Sequence, residues 1–199
     1  MLFHQEEKSL FFTPKLEKAI ALTVKIHARQ KRKGDNLTPY AAHPIATAFL
    51  LAKYIENEDV LIAGLLHDAL EDTDYPAQKI RQEFGPLAFK LIREVSDKSP
   101  FDPWQKRKDD YLKNIKKASF NACLIACADK INNLISISQS YLKFGDSIWQ
   151  RFDASKEDML DFYVNIHKII KKRFKHRLIS ELGKALKEAK SILSGKPHV

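Results

Sequence analysis

The sequence has little of several residues that mark other classes of protein. Only 6 of its 199 residues are glycine and only 2 are cysteine, which argues against an all-β design and against a disulfide-stapled scaffold. Its start lacks the basic region, apolar core and small-residue cleavage site of a secretory signal, and no apolar run approaches the length of a membrane span. We therefore expect a cytoplasmic protein with no membrane partner. Cys123 and Cys127 are expected to be buried, unbridged residues.

What the chain does have is a composition suited to one domain, and an excess of positive charge. Hydrophobic residues make up 44% and charged residues 30%, so a substantial core can form, and we expect a single domain over residues 1–199. The formal net charge of +9 suits an anionic partner such as a nucleotide, a nucleic acid or a membrane surface. Charge alone does not choose among them.

Apolar residues recur at helical spacing along most of the chain, and no stretch alternates as a strand does. The sequence therefore predicts an all-α fold, a bundle of about eight to ten helices. Capping residues, prolines and glycines set the boundaries. The predicted helices cover about 14–31, 44–57, 59–72, 76–84, 86–97, a segment from 104, 119–140 and a last region 156–193 with room for a break. A motif core at about 27–133 is expected to pack against C-terminal helices at about 146–193.

Four ionisable residues follow a strongly apolar helix. Residues 59–66 are apolar on nearly every face, which predicts a buried helix, and His67, Asp68, Glu71 and Asp72 come next. If the helix continues, His67 lies one turn from Glu71, and Asp68 one turn from Asp72. Carboxylates at a helix C-terminus are disfavoured by roughly 0.3–1 kcal/mol each, a cost that a bound cation would reverse. A solvated acidic turn is the alternative interpretation.

A second buried helix carries a carboxylate of its own. Asp129 lies within the apolar run 122–135, where it is costly unless it is paired, protonated or bound to a metal. Adjacent helical residues point about 100° apart, so we expect poor pairing with Lys130. His43, at the expected N-cap of the second helix, offers a nitrogen. His43, His67, Asp68 and Asp129 together suit a catalytic ion with open positions better than a structural zinc. Manganese or iron(II) is the expected ion, with zinc or magnesium as alternatives.

These motifs, in this order, resemble those of the HD-domain metal-dependent phosphohydrolases. The resemblance narrows to the hydrolase domain of the RelA/SpoT homologues, in its small stand-alone form, and it runs from about residue 27 to 133. The matching stretches are Arg32-Lys33, Thr38 to Pro44, Leu65 to Thr73, Phe84-Gly85 and Ala128 to Leu134. The chain departs from the usual pattern at Asn132 and Ile135.

The resemblance implies an all-helical enzyme that uses manganese to remove the 3′-pyrophosphate from guanosine 3′,5′-bispyrophosphate and its pentaphosphate relative. It implies that His43, His67, Asp68 and Asp129 are the metal ligands, that Glu71 and Asp72 orient or activate water, and that Arg32, Lys33, Lys130 and Asn133 contact the nucleotide. The chain is too short to include the nucleotide-synthesising domain of the long homologues, so hydrolysis alone is expected.

Two other functions stay open at this point. One is an HD-type hydrolase acting on another phosphorylated nucleotide or dinucleotide cofactor, and the other is a non-catalytic nucleotide-binding protein. The basic run from Lys168 to Arg177 is typical of nucleic-acid binding, but the inward spacing of Ile169, Ile170 and Phe174 favours a solvated helix face, with contact in a homo-oligomer second. We therefore expect a small-molecule nucleotide substrate and no nucleic-acid partner.

Overall fold

The computed structural model describes residues 12–97 and 102–195, and within these ranges the secondary structure is helical. Apart from one β-bridge between Lys31 and Pro39, the described residues contain no strand pairing, so the all-α prediction is confirmed. The helices are α1 (Pro14–Ile26), α2 (Ala42–Ala52), α3 (Glu58–Leu66), α4 (Ala69–Asp72), α5 (Ala77–Phe84), α6 (Pro86–Val95), α7 (Trp104–Ile115), α8 (Phe120–Phe144), a 3-10 helix (Gly145–Arg151), α9 (Lys156–Arg173) and α10 (Arg177–Leu193). In the ranges described, none is long and apolar enough to cross a bilayer.

Helix α8 is the centre of the fold. It begins where the Ser119 hydroxyl accepts the Ala122 amide, and it ends at Gly145, whose φ of 61° suits glycine. All eight residues from 122 to 129 are buried, and the helix packs against α2, α3, α6, α9 and α10. Cys123 and Cys127 lie in this run as buried free thiols, as predicted. Helix α8 therefore carries Asp129 into the core.

Two predicted boundaries near the start of the chain are wrong. Helix α1 ends at Ile26, not at residue 31, because the chain turns back on itself: Arg32 N donates to Thr38 O and Tyr40 N donates to Gln30 O. Helix α2 then runs from Ala42 to Ala52 and stops short of residue 57. His43 consequently lies inside the first turn of α2 and is not its N-cap.

The predicted continuous helix from 59 to 72 is interrupted at His67 and Asp68. Val60 to Leu66 are all buried in α3, as expected, but tertiary hydrogen bonds occupy the backbone at its end. The Thr23 hydroxyl donates to Leu65 O, and His67 Nδ1 donates to Gly64 O. Helix α4 follows, with Asp72 N donating to Asp68 O. The one-turn relation between Asp68 and Asp72 is kept, while His67 turns towards α2 and α8.

Candidate metal centre

Three helices bring nitrogen and carboxylate ligands to one buried point. His43 comes from the first turn of α2, His67 from the end of α3 and Asp129 from the middle of α8, and their ligand atoms all lie within 4.8 Å of one another. Their exposed fractions are 3%, 3% and 5%. His43 Nε2 lies 3.2 Å from His67 Nε2 and 3.3 Å from Asp129 Oδ1. Groups buried this deeply have little water to solvate them.

Asp68 adds a fourth ligand atom to this point. Its Oδ2 lies 3.1 Å from His67 Nε2 and 3.5 Å from His43 Nε2. The structure therefore places the four residues that the sequence predicted as ligands around one point, with two imidazole nitrogens and two carboxylate oxygens facing it.

Hydrogen bonds on the far side of each imidazole fix which nitrogen faces the cluster. His67 Nδ1 donates to Gly64 O at 2.8 Å, and His43 Nδ1 donates to Asn132 Oδ1 at 2.7 Å. When both rings are neutral, each Nε2 therefore presents a lone pair to the cluster. Gly64 also permits the close approach of α2 and α3, because a Cβ there would lie 2.6 Å from a methyl carbon of Leu51.

The charges of the cluster favour a positive charge at its centre. Burial opposes protonation of His67, but the carboxylates of Asp68 and Asp129 outweigh it and raise the pKa of His67 to about 9. Burial likewise opposes ionisation of Asp129, yet Lys130 and the two histidines hold the pKa of this carboxyl well below its usual range. Four acceptor atoms that converge on one point are the donor set of a divalent-metal site, so these residues fit a bound divalent ion.

Lys130 pairs with Asp129, which corrects the expectation that the two would not meet. Although their Cα–Cβ directions diverge, the long lysine chain folds back and places Nζ 2.5 Å from Asp129 Oδ2. The ammonium also lies 5.0 Å from the centroid of Tyr111 and 5.8 Å from that of Phe162. These contacts turn Lys130 towards the core, and it lines neither of the two cavities described below.

The predicted catalytic acids face different ways. Glu71 Oε1 accepts the Asp97 amide at 2.6 Å, and burial together with the charges of Asp68 and Asp97 raises the pKa of Glu71 to about 8. Asp72 lines a cavity, and burial and the charge of Asp68 raise its pKa. Both acids therefore favour the protonated state more than a solvated carboxyl does.

Tyr40 links the metal ligands to Asp72, a role that sequence reasoning missed. Its hydroxyl lies 2.8 Å from Asp68 Oδ2 and 2.9 Å from Asp72 Oδ2. A phenol has one proton to donate, so the second of these hydrogen bonds requires a proton on a carboxyl group. Because burial and the two carboxylates raise the pKa of Tyr40 well above its usual value, the phenol keeps its own proton. The signal was the position of Tyr40, three residues before His43.

Two cavities flank Arg32 beside the cluster. The larger, about 380 Å³, is lined by His43, Asn132 and Ile135 among others, and the smaller, about 230 Å³, by Tyr40 and Asp72 among others. Arg32 lines both, and one of its guanidinium nitrogens donates to Asn133 Oδ1 at 2.9 Å. Asn133 in turn donates to Asp129 Oδ1 at 2.6 Å. A hydrogen-bonded chain thus connects the cavity wall to a metal ligand.

The remaining predicted contact residue, Lys33, lies at the outer edge of the smaller cavity. It is exposed, and its Nζ forms an ion pair of 2.9 Å with Asp153 Oδ2. Of the four predicted nucleotide contacts, Arg32, Lys33 and Asn133 therefore line this cavity, and Lys130 does not.

The departure at Asn132 has a structural role, and this leads to a first prediction. Replacing Asn132 with alanine removes the acceptor that orients His43, so we expect N132A to bind Mn²⁺ about 10–100-fold more weakly while keeping its fold. Calorimetric titration of the metal-free protein measures the affinity. Asn165, exposed on α9, provides the matched control N165A, which should bind as the unmodified protein does. Equal affinities for N132A and N165A would show that the Asn132 contact does not support the site.

The sequence of this chain matches the profile of the HD domain over residues 19–160. The match covers more than half of the chain, so the protein belongs to the HD-domain family. The resemblance drawn from the motifs is thus confirmed.

Two relatives make the comparison more specific. The guanosine-3′,5′-bis(diphosphate) 3′-pyrophosphohydrolase of Drosophila melanogaster is 41% identical over 110 residues, which are 54% of this chain and 61% of the fly protein. The human protein of the same name is 34% identical over 115 residues, 57% of this chain and 64% of its own length. The alignments thus span a little under two thirds of these curated relatives.

A solved structure extends the likeness across the fold. It is described as a metazoan ortholog of SpoT that hydrolyzes ppGpp and plays a role in starvation responses, and it superposes with a TM-score of 0.76 at 27% identity. The superposition covers 89% of this chain and 97% of that one.

Proposed function

We propose that this protein is a metal-dependent hydrolase that removes the 3′-pyrophosphate from guanosine 3′,5′-bis(diphosphate) and its pentaphosphate relative. The observation that carries the proposal is the buried cluster of His43, His67 and Asp129, with Asp68 beside it. Acids of raised pKa and a cavity whose wall includes Arg32 and Lys33 lie next to this cluster. The names of the fly and human relatives and of the similar solved structure support the choice of substrate.

His43, His67, Asp68 and Asp129 would hold the divalent ion, with Mn²⁺ as the first choice. Such an ion supplies Lewis-acid polarisation of a phosphoryl oxygen and lowers the pKa of water towards neutrality. The fit rests on the lone pairs of the two Nε2 atoms and on the two carboxylates beside them. Asn132 and Gly64 O fix the rings, so little reorganisation accompanies binding.

The protein's own groups bind the nucleotide and handle the protons. Arg32 is placed to pair with phosphate from the wall shared by both cavities, a contact to which a planar guanidinium is suited, and Lys33 adds charge at the rim. In its ionised state Glu71 takes the proton of the attacking water, and its raised pKa makes it the stronger base for this step. As the bond between phosphorus and the 3′-oxygen breaks, that oxygen receives a proton from Asp72, which Tyr40 holds in place. The products are pyrophosphate and guanosine 5′-diphosphate, or guanosine 5′-triphosphate when the pentaphosphate is the substrate.

A substrate panel tests the proposal. We expect protein loaded with Mn²⁺ to release pyrophosphate from guanosine 3′,5′-bis(diphosphate), and to release no phosphate from nucleoside monophosphates or phosphorylated dinucleotides. The D68N variant should still bind the nucleotide but not turn it over. Phosphate release from another compound of the panel would instead identify a different HD-type hydrolase. If no compound is turned over and D68N binds the nucleotide as tightly as the unmodified protein does, the protein would be a non-catalytic nucleotide-binding protein.

A further inference from the structure

Most of the net positive charge of the chain lies in one segment. Nine lysines and arginines and two glutamates fall between residues 168 and 190, a net charge of +7 out of +9. The match to the HD domain ends at residue 160, so the charge lies outside the part of the chain that carries the metal cluster. The proposed hydrolysis does not explain why this segment carries so much positive charge.

The charged side chains line a groove between α9 and α10. Its volume is about 790 Å³, and no aspartate or glutamate is among its lining residues. The cations that line it are Lys171, Lys175, Arg177, Lys184 and Lys187. The two helices meet closely at Gly183, where a Cβ would lie 3.0 Å from the His167 ring. The groove therefore has cationic walls above a tight helix contact.

Little of this charge is compensated by the protein itself. Lys184 Nζ lies 3.1 Å from Glu181 Oε1, but across residues 12–97 and 102–195 no carboxylate forms an ion pair with Lys171, Lys175 or Lys187. All three are exposed. Like charges around one groove repel each other, and an anion lying in the groove would turn that repulsion into attraction.

The distribution of the charge favours an extended anion over a single phosphate group. Arg177, Lys184 and Lys187 repeat along one face of α10, and at 1.5 Å per residue the stretch from 177 to 187 extends about 15 Å. One strand of a duplex presents a phosphate about every 3.4 Å along its axis, and an extended single strand spaces its phosphates more widely, so this row can face several successive phosphates of one strand. A single phosphate group would contact only one end of it.

Aromatic rings at the groove favour single-stranded nucleic acid among extended polyanions. Phe174 and His176 line the groove. Phe120 is 38% exposed, and its ring centroid lies 5.2 Å from that of Phe174 and 5.8 Å from that of His176. Stacking of unpaired bases on such rings is the usual partner of a basic groove in single-strand binding. By contrast, no large hydrophobic side chain of α9 or α10 in the described part of the chain is exposed for insertion into a membrane.

We propose that the groove between α9 and α10 binds single-stranded nucleic acid, with its lysines and Arg177 on the phosphates and Phe120 against the bases. The proposal revises the expectation that the basic run is only a solvated helix face. It does not depend on the hydrolase activity, because none of these residues belongs to the metal cluster or lines the two cavities beside it.

Fluorescence anisotropy with a labelled 20-nucleotide single-stranded RNA of mixed sequence tests the proposal on the full chain. We expect saturable binding whose logarithmic salt dependence has a slope near −3, as about four or five neutralised phosphates require. The combined variant K171Q, K175Q, K184Q and K187Q should bind at least about tenfold more weakly. The matched control K25Q, R29Q, K79Q and R81Q changes the net charge equally at exposed sites in α1, the turn after it and α5, and it should bind within about threefold of the unmodified protein.

A second variant separates stacking from charge. F120A leaves the charge unchanged and should weaken the RNA complex about fivefold or more, while binding of inorganic tripolyphosphate should not change. Several results would overturn the proposal: no RNA binding at low salt, equal loss in the groove and control variants, or tripolyphosphate competing as well as RNA per molecule. Preferential binding to vesicles containing phosphatidylserine, without competition by RNA, would assign the groove to a membrane instead.

Discussion

Replacing Asp129 with alanine or asparagine is expected to remove the bound divalent ion and to lower pyrophosphate release more than about a hundredfold. Loss of an outer hydrogen-bond partner costs about 10–100-fold at a metal site. Asp129, whose Oδ1 lies 3.3 Å from His43 Nε2, is proposed to be a ligand itself, so its loss should cost more. In D129A, Lys130 also loses its counter-charge in the core, which costs roughly 3–5 kcal/mol of folding free energy. D129N keeps the shape and an acceptor oxygen, so it separates the loss of the ligand from the loss of stability.

Metal content per chain after loading with Mn²⁺ and gel filtration, together with turnover, checks this prediction. Cys127 provides the control, because it is buried on the same helix and lies outside the cluster. C127A should lose some stability through its small cavity but keep its metal and its activity. A D129N protein with full metal content and full turnover would contradict the assignment of the ligands.

Replacing Glu71 with glutamine should abolish most activity and stabilise the metal-free protein at neutral and alkaline pH. The activity falls because a general base contributes about 10²–10⁴-fold. The stability rises because the pKa of Glu71 is raised from 4.5 to about 8 in the folded protein. Its contribution to folding is fully present below pH 4.5 and is lost as the pH rises towards 8. Glutamine keeps an acceptor for the Asp97 amide and does not titrate.

Urea unfolding of both proteins in EDTA at pH 5 and pH 8 measures the effect. The gain of E71Q over the unmodified protein should grow between these pH values by more than about 1 kcal/mol. Glu83 provides a control in which the pKa shift has the opposite sign, because hydrogen bonds from Tyr75 and Lys18 lower the pKa of its carboxyl group. E83Q should therefore lose stability at pH 8 and keep full activity. The same pH dependence in E71Q and the unmodified protein would argue against a protonated Glu71 in the folded protein.

The sequence predicted the cluster because its members are chemically conspicuous. A histidine or carboxylate inside an apolar helix needs a partner, and four such residues on three helices favour one shared site. The structure does bring the four ligand atoms together. Sequence reasoning also anticipated the all-α fold and the cap of α8 at Ser119, since both follow from periodicity and local hydrogen bonding.

What the sequence did not predict depends on contacts between distant segments. The break at His67 follows from Thr23, which donates to the carbonyl of Leu65 from another helix. Lys130 pairs with Asp129 because the lysine side chain is long enough to fold back, although its Cα–Cβ direction points away from Asp129. The position of Tyr40 depends on the turn that pairs residues near Lys31 and Pro39. Periodicity and spacing carry no information about such long-range geometry.

The arrangement of the ligands along the chain also bears on how the protein folds. His43 and His67 are 24 residues apart, and Asp129 lies 62 residues further on, so the site closes two long loops at once. Closing such loops costs chain entropy, and contacts within single helices do not offset this cost. We therefore expect the cluster to assemble only when α8 has docked against α2 and α3. An ion bound there acts as a cross-link between segments that are remote in sequence. We therefore expect release of the ion to lower the resistance of the whole chain to proteolysis, and not only the order of the site.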